Sequence, residues 1–154
     1  MSRARFAVGA ILVLVLGVGA GGIAGSPAAH AAPAGCVTDT DNSLTIIQTS
    51  VIENLGPHLP AAEISGTVTN NSDDETYIHA IVVTIAGFAR GADAVTGCDA
   101  TDFVIAPSRM PVERELQPHE TISFGGSTIG FLNQPHNQDA CKNLTITLSY
   151  EVAG

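Results

Sequence analysis

Three prolines in this chain are each followed by a histidine: Pro57-His58, Pro118-His119 and Pro135-His136. Imidazoles suit zinc or copper. Three of them on loops converging at one end of a small fold would make a metal site, so His58, His119 and His136 are the candidate ligands. No pair among them has the i, i+2 strand or i, i+4 helix spacing that preorganises two ligands. There is no cysteine ligand pair, and Met110 is the only methionine besides Met1. Exposed histidines beside turn prolines account for the same residues without metal, and no cofactor is expected. His79, between Ile78 and Ala80, reads as a satisfied sheet residue.

The cysteines number three, Cys36, Cys98 and Cys141, so at least one stays outside any internal pair. Cys98 precedes a short apolar strand and Cys141 the last strand, whereas Cys36 lies in a Gly-, Pro- and Asp-containing stretch. A Cys98–Cys141 bond would be worth roughly 4 kcal/mol in chain-entropy terms. Pro33-Ala-Gly-Cys36 resembles the end of a bacterial lipobox, but Pro stands where Leu is wanted and the apolar core ends well upstream. Lipidation and an intermolecular disulfide compete with an unmodified, mobile Cys36 thiol, and the last reading leads.

Acidic loops offer oxygen ligands at Asp39 with Asp41, at Asp73-Asp74-Glu75 and at Asp99 with Asp102. Calcium needs six to eight convergent oxygens, and the EF-hand spacing is missing, so a solvated acidic rim is the simpler account. Gly125-Gly-Ser-Thr-Ile129 lacks the second glycine of a nucleophile elbow. There is no P-loop, dinucleotide fingerprint or His-Glu-x-x-His. Glu113 and Glu115 share a strand face beside Arg114, where solvation suffices. The chain is not expected to be an enzyme. Asn70-Asn-Ser72 and Asn143-Leu-Thr145 match the glycosylation acceptor.

What must position these residues is a set of short strands. Leu144, Ile146, Leu148, Tyr150 and Val152 alternate with polar residues, as for a half-buried antiparallel strand. Residues 77–86 form a β-branched run that is apolar on both faces and suits a central strand. Ile64, Gly66 and Val68 alternate with Ser65, Thr67 and Thr69. Residues 44–52, 103–106, 121–124 and 128–132 complete seven strands. Turn clusters separate them at 56–57, 70–74, 87–97, 107–111, 117–119, 125–126 and 133–143. Seven strands with this punctuation predict an all-β, immunoglobulin-like β-sandwich.

Ahead of the strands, Arg3 and Arg5 are followed by an apolar run from Phe6 to Ala24 and then by small residues. A basic stub, an apolar core and a small-residue exit make an export signal over residues 1–31, with cleavage placing the mature start at Ala32 or Gly35. An uncleaved membrane anchor is the alternative, and its glycines at 17, 19, 21, 22 and 25 weaken it. Residues 32–42 then read as a flexible lead, and 43–154 as the domain. After Ala34, four basic side chains stand against fifteen acidic ones, a net charge of −11. Such a surface repels nucleic acid and anionic lipid, leaving the membrane only to the N-terminal segment.

Gly66-Thr-Val-Thr-Asn-Asn71, Gly97-Cys-Asp-Ala-Thr-Asp-Phe103, Leu116-Gln-Pro-His-Glu-Thr-Ile-Ser-Phe124 and Asn137-Gln-Asp-Ala-Cys-Lys-Asn-Leu-Thr-Ile-Thr-Leu-Ser-Tyr150 resemble one family. It comprises small secreted immunoglobulin-like domains of Gram-positive, especially actinobacterial, surface proteins. The resemblance covers about residues 62–152, and its most specific part is Gln138-Asp-Ala-Cys-Lys142. It implies a β-sandwich with Cys98 bonded to Cys141, and it implies no activity. The family's turn usually reads Leu-x-Pro-Gly-Glu. Here His119 replaces the glycine, and a positive φ costs His more than Gly. The expectation is a secreted or cell-surface module that binds a protein or envelope component, with an extracellular metal-binding protein as the alternative.

Overall fold

Alternation of apolar and polar residues becomes two facing sheets. The structure, a computed structural model, describes residues 29–31, 37–38, 43–91 and 93–153. The expected export segment up to residue 28 and Cys36 lie outside the described residues. Among the described residues there is no α-helix, only two 3₁₀ turns at Ala100–Asp102 and Asp139–Cys141.

The strands are β1 (Ala29–Ala31), β2 (Val37–Thr38), β3 (Leu44–Gln48), β4 (Ile52–Leu55), β5 (Ala62–Asn70), β6 (Thr76–Arg90), β7 (Asp93–Ala94), β8 (Phe103–Ala106), β9 (Arg109–Leu116), β10 (Thr121–Phe131) and β11 (Thr145–Ala153). One sheet runs β4-β1-β11-β6, with β9 and β7 on the far edge of β6; the other runs β2-β3-β5-β10-β8. All pairings are antiparallel except that of β1 with β11. Between the layers lie Ile46, Ile64, Val68, Phe124 and Ile129 from one sheet and Ile78, Ile81, Val83, Met110, Leu116, Ile146, Leu148 and Tyr150 from the other. Burying each such side chain fully contributes about 1.5–3 kcal/mol.

The structure departs from the sequence reading at four places. Residues 44–52 are not one strand. Thr49 and Ser50 donate their N–H groups to the Ser65 carbonyl, and the chain then crosses to the opposite sheet to form β4. The glycines at 125 and 126 do not turn the chain. They form a bulge between the pairs Phe124–Gly66 and Ser127–Ile64, with Gly126 at φ 97°, so β10 is continuous. Residues 87–90, read as a turn, extend β6 past a similar irregularity opposite Thr147 and Leu148. Most of the turn assigned to 107–111 belongs to β9, a strand that alternation missed. Its charged run Glu113-Arg-Glu115 hides the period, and Pro111 is tolerated because β9 is an edge strand. Of the lead expected at 32–42, Val37–Thr38 are described and pair with Ile46 and Thr45.

Two packing constraints are built into this frame. Asn70, fully buried, donates its amide to the carbonyls of Asp74, Leu116 and Gln117 and accepts from Ser72. It joins the β5–β6 turn to the β9–β10 turn, and its burial closes it to glycosylation. Gly66 is the second constraint on packing. A Cβ there would stand 2.4 Å from Phe124 Cζ and 2.5 Å from the Ile47 carbonyl oxygen, so the ring of Phe124 lies directly on the glycine.

Candidate binding cleft

At one end of the sandwich, β4 finishes at Leu55 and β10 at Phe131, and the segments that follow form opposite walls of a cleft of about 640 Å³. That volume lies in the range of small-ligand sites, roughly 300–1,000 Å³. Leu55, Pro57, Leu59 and Phe131 supply its apolar part, with Leu59 half exposed. Asn133, Gln134, His136, Asn137, Gln138, Asp139 and Lys142 supply the polar part.

The β4–β5 wall is a tight turn in which the Leu59 N–H donates to the Gly56 carbonyl and His58 takes φ 64°. The other wall, residues 132–144, is long, and it is fixed by two devices. Cys98 and Cys141 are disulfide-bonded, with an S–S distance of 2.02 Å. Beside them Asp102, 1% exposed, acts as a hub. Its Oδ1 accepts from Gln138 Nε2 at 2.6 Å and pairs with His136 Nε2 at 3.1 Å. Its Oδ2 accepts the Asp99 N–H at 3.0 Å and lies 3.3 Å from Cys141 Sγ. The Asp102 carbonyl also accepts the Leu132 N–H. Arg90, at the end of β6, donates to the carbonyls of Ala140 and Lys142. A buried carboxylate with this many donors costs little and orders every group that points at it.

Asp99 and Asp102 were candidates for calcium. They instead form a capping box at the start of the 3₁₀ turn: Asp99 accepts from the Thr101 N–H, and Asp102 accepts from the Asp99 N–H. The hydrogen bonds from the Thr101 hydroxyl and then its N–H hold the Asp99 carboxyl below its usual value. The Asp-x-x-Asp spacing was the sequence signal for this arrangement. Among the described residues, Cys98, Asp102 and Cys141 are the only three His, Cys, Asp or Glu side chains whose ligand atoms cluster closely enough for a metal, and both sulfurs are spent in the disulfide. Asp39 and Asp41 lie outside the described residues.

The three Pro-His histidines do not converge. His136 borders the cleft, and His58 sits on the β4–β5 turn at the same end. His119 lies on the β9–β10 turn, at the other end of β10, where it pairs with Asp73 at 3.2 Å. Its φ is 61°, so the turn keeps the left-handed geometry with histidine in the place of glycine. Glu120 closes that turn by accepting the Gln117 N–H and pairing with Arg114.

A second polar cluster lies on the outer face of the β6 sheet and was not legible from the sequence. His79 Nδ1 is 3.0 Å from Glu113 Oε2, the Tyr77 hydroxyl donates to the same oxygen at 3.4 Å, and the two rings meet edge to face at 4.7 Å. Glu113 reaches them because a bulge puts it at φ 46°. The bond from His79 holds its carboxyl below the usual range, while partial desolvation and then Glu113 push the Tyr77 phenol up. All three side chains are solvent-exposed and none of them lines the end cleft. Comparison with protein-family models, with curated proteins and with solved structures found no match.

Proposed function

We propose that the chain is a secreted or cell-surface immunoglobulin-like module of Gram-positive type that acts by binding, without catalysis, and that its ligand enters the cleft at the disulfide end. The observation that carries this reading is the fixation of the cleft's long wall. A loop of this length orders at considerable entropic cost. Here a disulfide and a buried carboxylate bear that cost before any ligand arrives, which is what a preformed site requires. The mixture of an apolar floor with side-chain amides suits a partly apolar, largely neutral ligand, such as a segment of another protein or an envelope component. The acidic balance of the chain supports export into an aqueous exterior and disfavours nucleic acid as partner. The two-sheet arrangement and the bonded Cys98 and Cys141 agree with the family resemblance.

Site-specific photo-crosslinking tests the reading. A benzoylphenylalanine at Leu59, in the cleft, should give a discrete adduct in the producing cells. The same probe at Val104, exposed on β8 outside the cleft, should give none. Equal labelling from both positions, or none from Leu59, overturns the cleft as the binding site.

A further inference from the structure

The carboxamides of Asn133, Gln134, Asn137 and Gln138 all stand on the cleft's long wall. Two of them are tied down at one atom only. Gln134 donates its amide to the Thr101 carbonyl, and the Asn137 carbonyl oxygen accepts the Asp139 N–H. His136 is held in the same way, through Nε2 on Asp102. Gln138 alone is fully engaged: its amide donates to Asp102 and to the Leu132 carbonyl, and its oxygen accepts the Gln134 N–H. Among the described residues, Gln134 Oε1, Asn137 Nδ2, His136 Nδ1 and both polar atoms of Asn133 have no partner. The wall thus presents free donors and acceptors together, mostly on side chains that are already anchored. The charged groups lining the cleft, Asp139 and Lys142, pair with each other. A chain of net charge −9 therefore carries a cleft without surplus charge.

We propose that the cleft binds a neutral saccharide, whose hydroxyls are taken by Asn133, Gln134 and Asn137 while one ring face rests on Phe131, Pro57 and Leu59. The proposal rests on the binding reading above and names its ligand class. A hydroxyl donates once and accepts twice, and a carboxamide offers the complementary donor and acceptor side by side. A pyranose carries hydroxyls around its rim and C–H groups on its faces. That division matches a cleft with amides on its long wall and apolar side chains opposite and beneath. Phe131 is held edge to face against Phe103 at 5.1 Å, so its ring is ordered before any ligand arrives. A wholly aliphatic ligand would strip water from the free polar atoms and return no hydrogen bonds. A charged ligand finds no unpaired opposite charge. An extended peptide is gripped by main-chain bonds along a strand edge, whereas the free polar atoms here belong to side chains on a loop.

The probes are the neutral oligosaccharides cellohexaose, maltohexaose, mannohexaose and N-acetylchitohexaose. Each is titrated to millimolar concentration into the protein purified from its producing cells, with amide NMR as the readout. At least one should shift the side-chain amide signals of Asn133 and Asn137 and the backbone amides of residues 131–138, leaving residues 62–70 unmoved. Asn133 has no hydrogen bond among the described residues, so Asn133→Ala should fold normally and weaken binding about three- to tenfold. Thr84→Ala, exposed on β6 away from the cleft, should bind like the parent. No shift with any of these sugars overturns the proposal. So does a shift confined to residues outside the cleft, or unaltered binding by Asn133→Ala. Tighter binding of the acidic hexagalacturonate than of every neutral sugar overturns it as well. Crosslinking from Leu59 reports on the cleft separately. A protein adduct there without sugar binding removes only the saccharide and gives the cleft to a polypeptide, whereas failure of both removes the cleft itself.

Discussion

The hydroxyl of Tyr150 donates to the Gln48 side-chain carbonyl at 2.8 Å inside the sandwich, tying the last strand to the opposite sheet. Gln48 in turn donates its amide to the Ser50 carbonyl, at the point where the chain leaves β3 for β4. One buried bond thus fixes both the sheet-to-sheet spacing and the crossing. Tyr150→Phe should cost about 1–3 kcal/mol in denaturant unfolding, because it orphans a buried acceptor. Adding Gln48→Met to Tyr150→Phe should recover part of that loss, since both partners are then apolar. A strictly additive double variant would show that the two side chains are not coupled.

Removing the disulfide with Cys98→Ser and Cys141→Ser should destabilise the domain by about 2–5 kcal/mol. Peptide mapping under non-reducing conditions identifies the bonded pair directly, and a Cys36 bond to either partner would contradict it.

Asp102→Asn retains the size of the side chain but removes its charge and turns one acceptor into a donor. Either the Asp99 N–H or the Gln138 amide then loses its acceptor, a loss of about 1–3 kcal/mol. Amide exchange in residues 133–142 should quicken, while residues 62–70 stay as slow relative to global unfolding as in the parent. Uniform quickening in both regions would mean that the hub does not act locally on the cleft wall.

Gly66→Ala drives a Cβ into the Phe124 ring and the Ile47 carbonyl oxygen, and overpacking of this kind costs about 1–3 kcal/mol. Phe124→Leu in the same chain should relieve the ring contact but not the carbonyl contact. Rescue should therefore be partial, and full rescue would show that the backbone contact carries no cost.

The pH dependence has two limbs. Asp99, Glu113 and Asp139 are held below their usual values by Thr101, His79 and Lys142 respectively. A carboxyl whose folded pKa is depressed contributes stability above its unfolded pKa, 3.8 for Asp and 4.5 for Glu, and that contribution is lost as pH falls through the folded value. Burial pushes the Tyr150 phenol up, so its contribution is present below the unfolded pKa of 10.0 and is lost as pH rises above it. Stability should be greatest between about pH 5 and 8. Thr101→Val should move the Asp99 carboxyl upward in an NMR titration, and an unmoved value would remove the hydroxyl as the cause.

Sequence alternation identified the strands that are buried on at least one face and simply paired, such as β5, β11 and the first part of β6. It failed where the backbone departs from period two. The Gly125-Gly126 bulge imitated a turn, and the positive φ at Glu113 broke the pattern of β9. The crossing at 49–51 is invisible in composition because Thr49 and Val51 are themselves β-branched and Ile47 and Ile52 flank it. At the cleft, the Gln138–Cys141 stretch was singled out through the family resemblance, whereas the role of Asp102 was not. A carboxylate that gathers donors from residues 99, 136 and 138 depends on contacts that spacing alone does not encode. His119 and His136 looked alike in sequence, each after a proline, and only the length of β10 separates them.

The Cys98–Cys141 bond also sets how the domain would carry a pull between its two ends. The covalent path runs from residue 98 across the disulfide to residue 141, so β8, β9 and β10 lie in a bypassed loop that tension cannot unravel. Tension instead falls on β3 to β6 before the bond and on β11 after it. β11 and β6 are antiparallel partners over ten residues of β6, Ala80 to Ala89, so the strand that would be peeled away first is β11. The walls of the cleft would divide under such a load. Residues 132–140 lie within the bypassed loop and would remain attached to β10, whereas the β4–β5 turn lies on the tensioned path and would be drawn out.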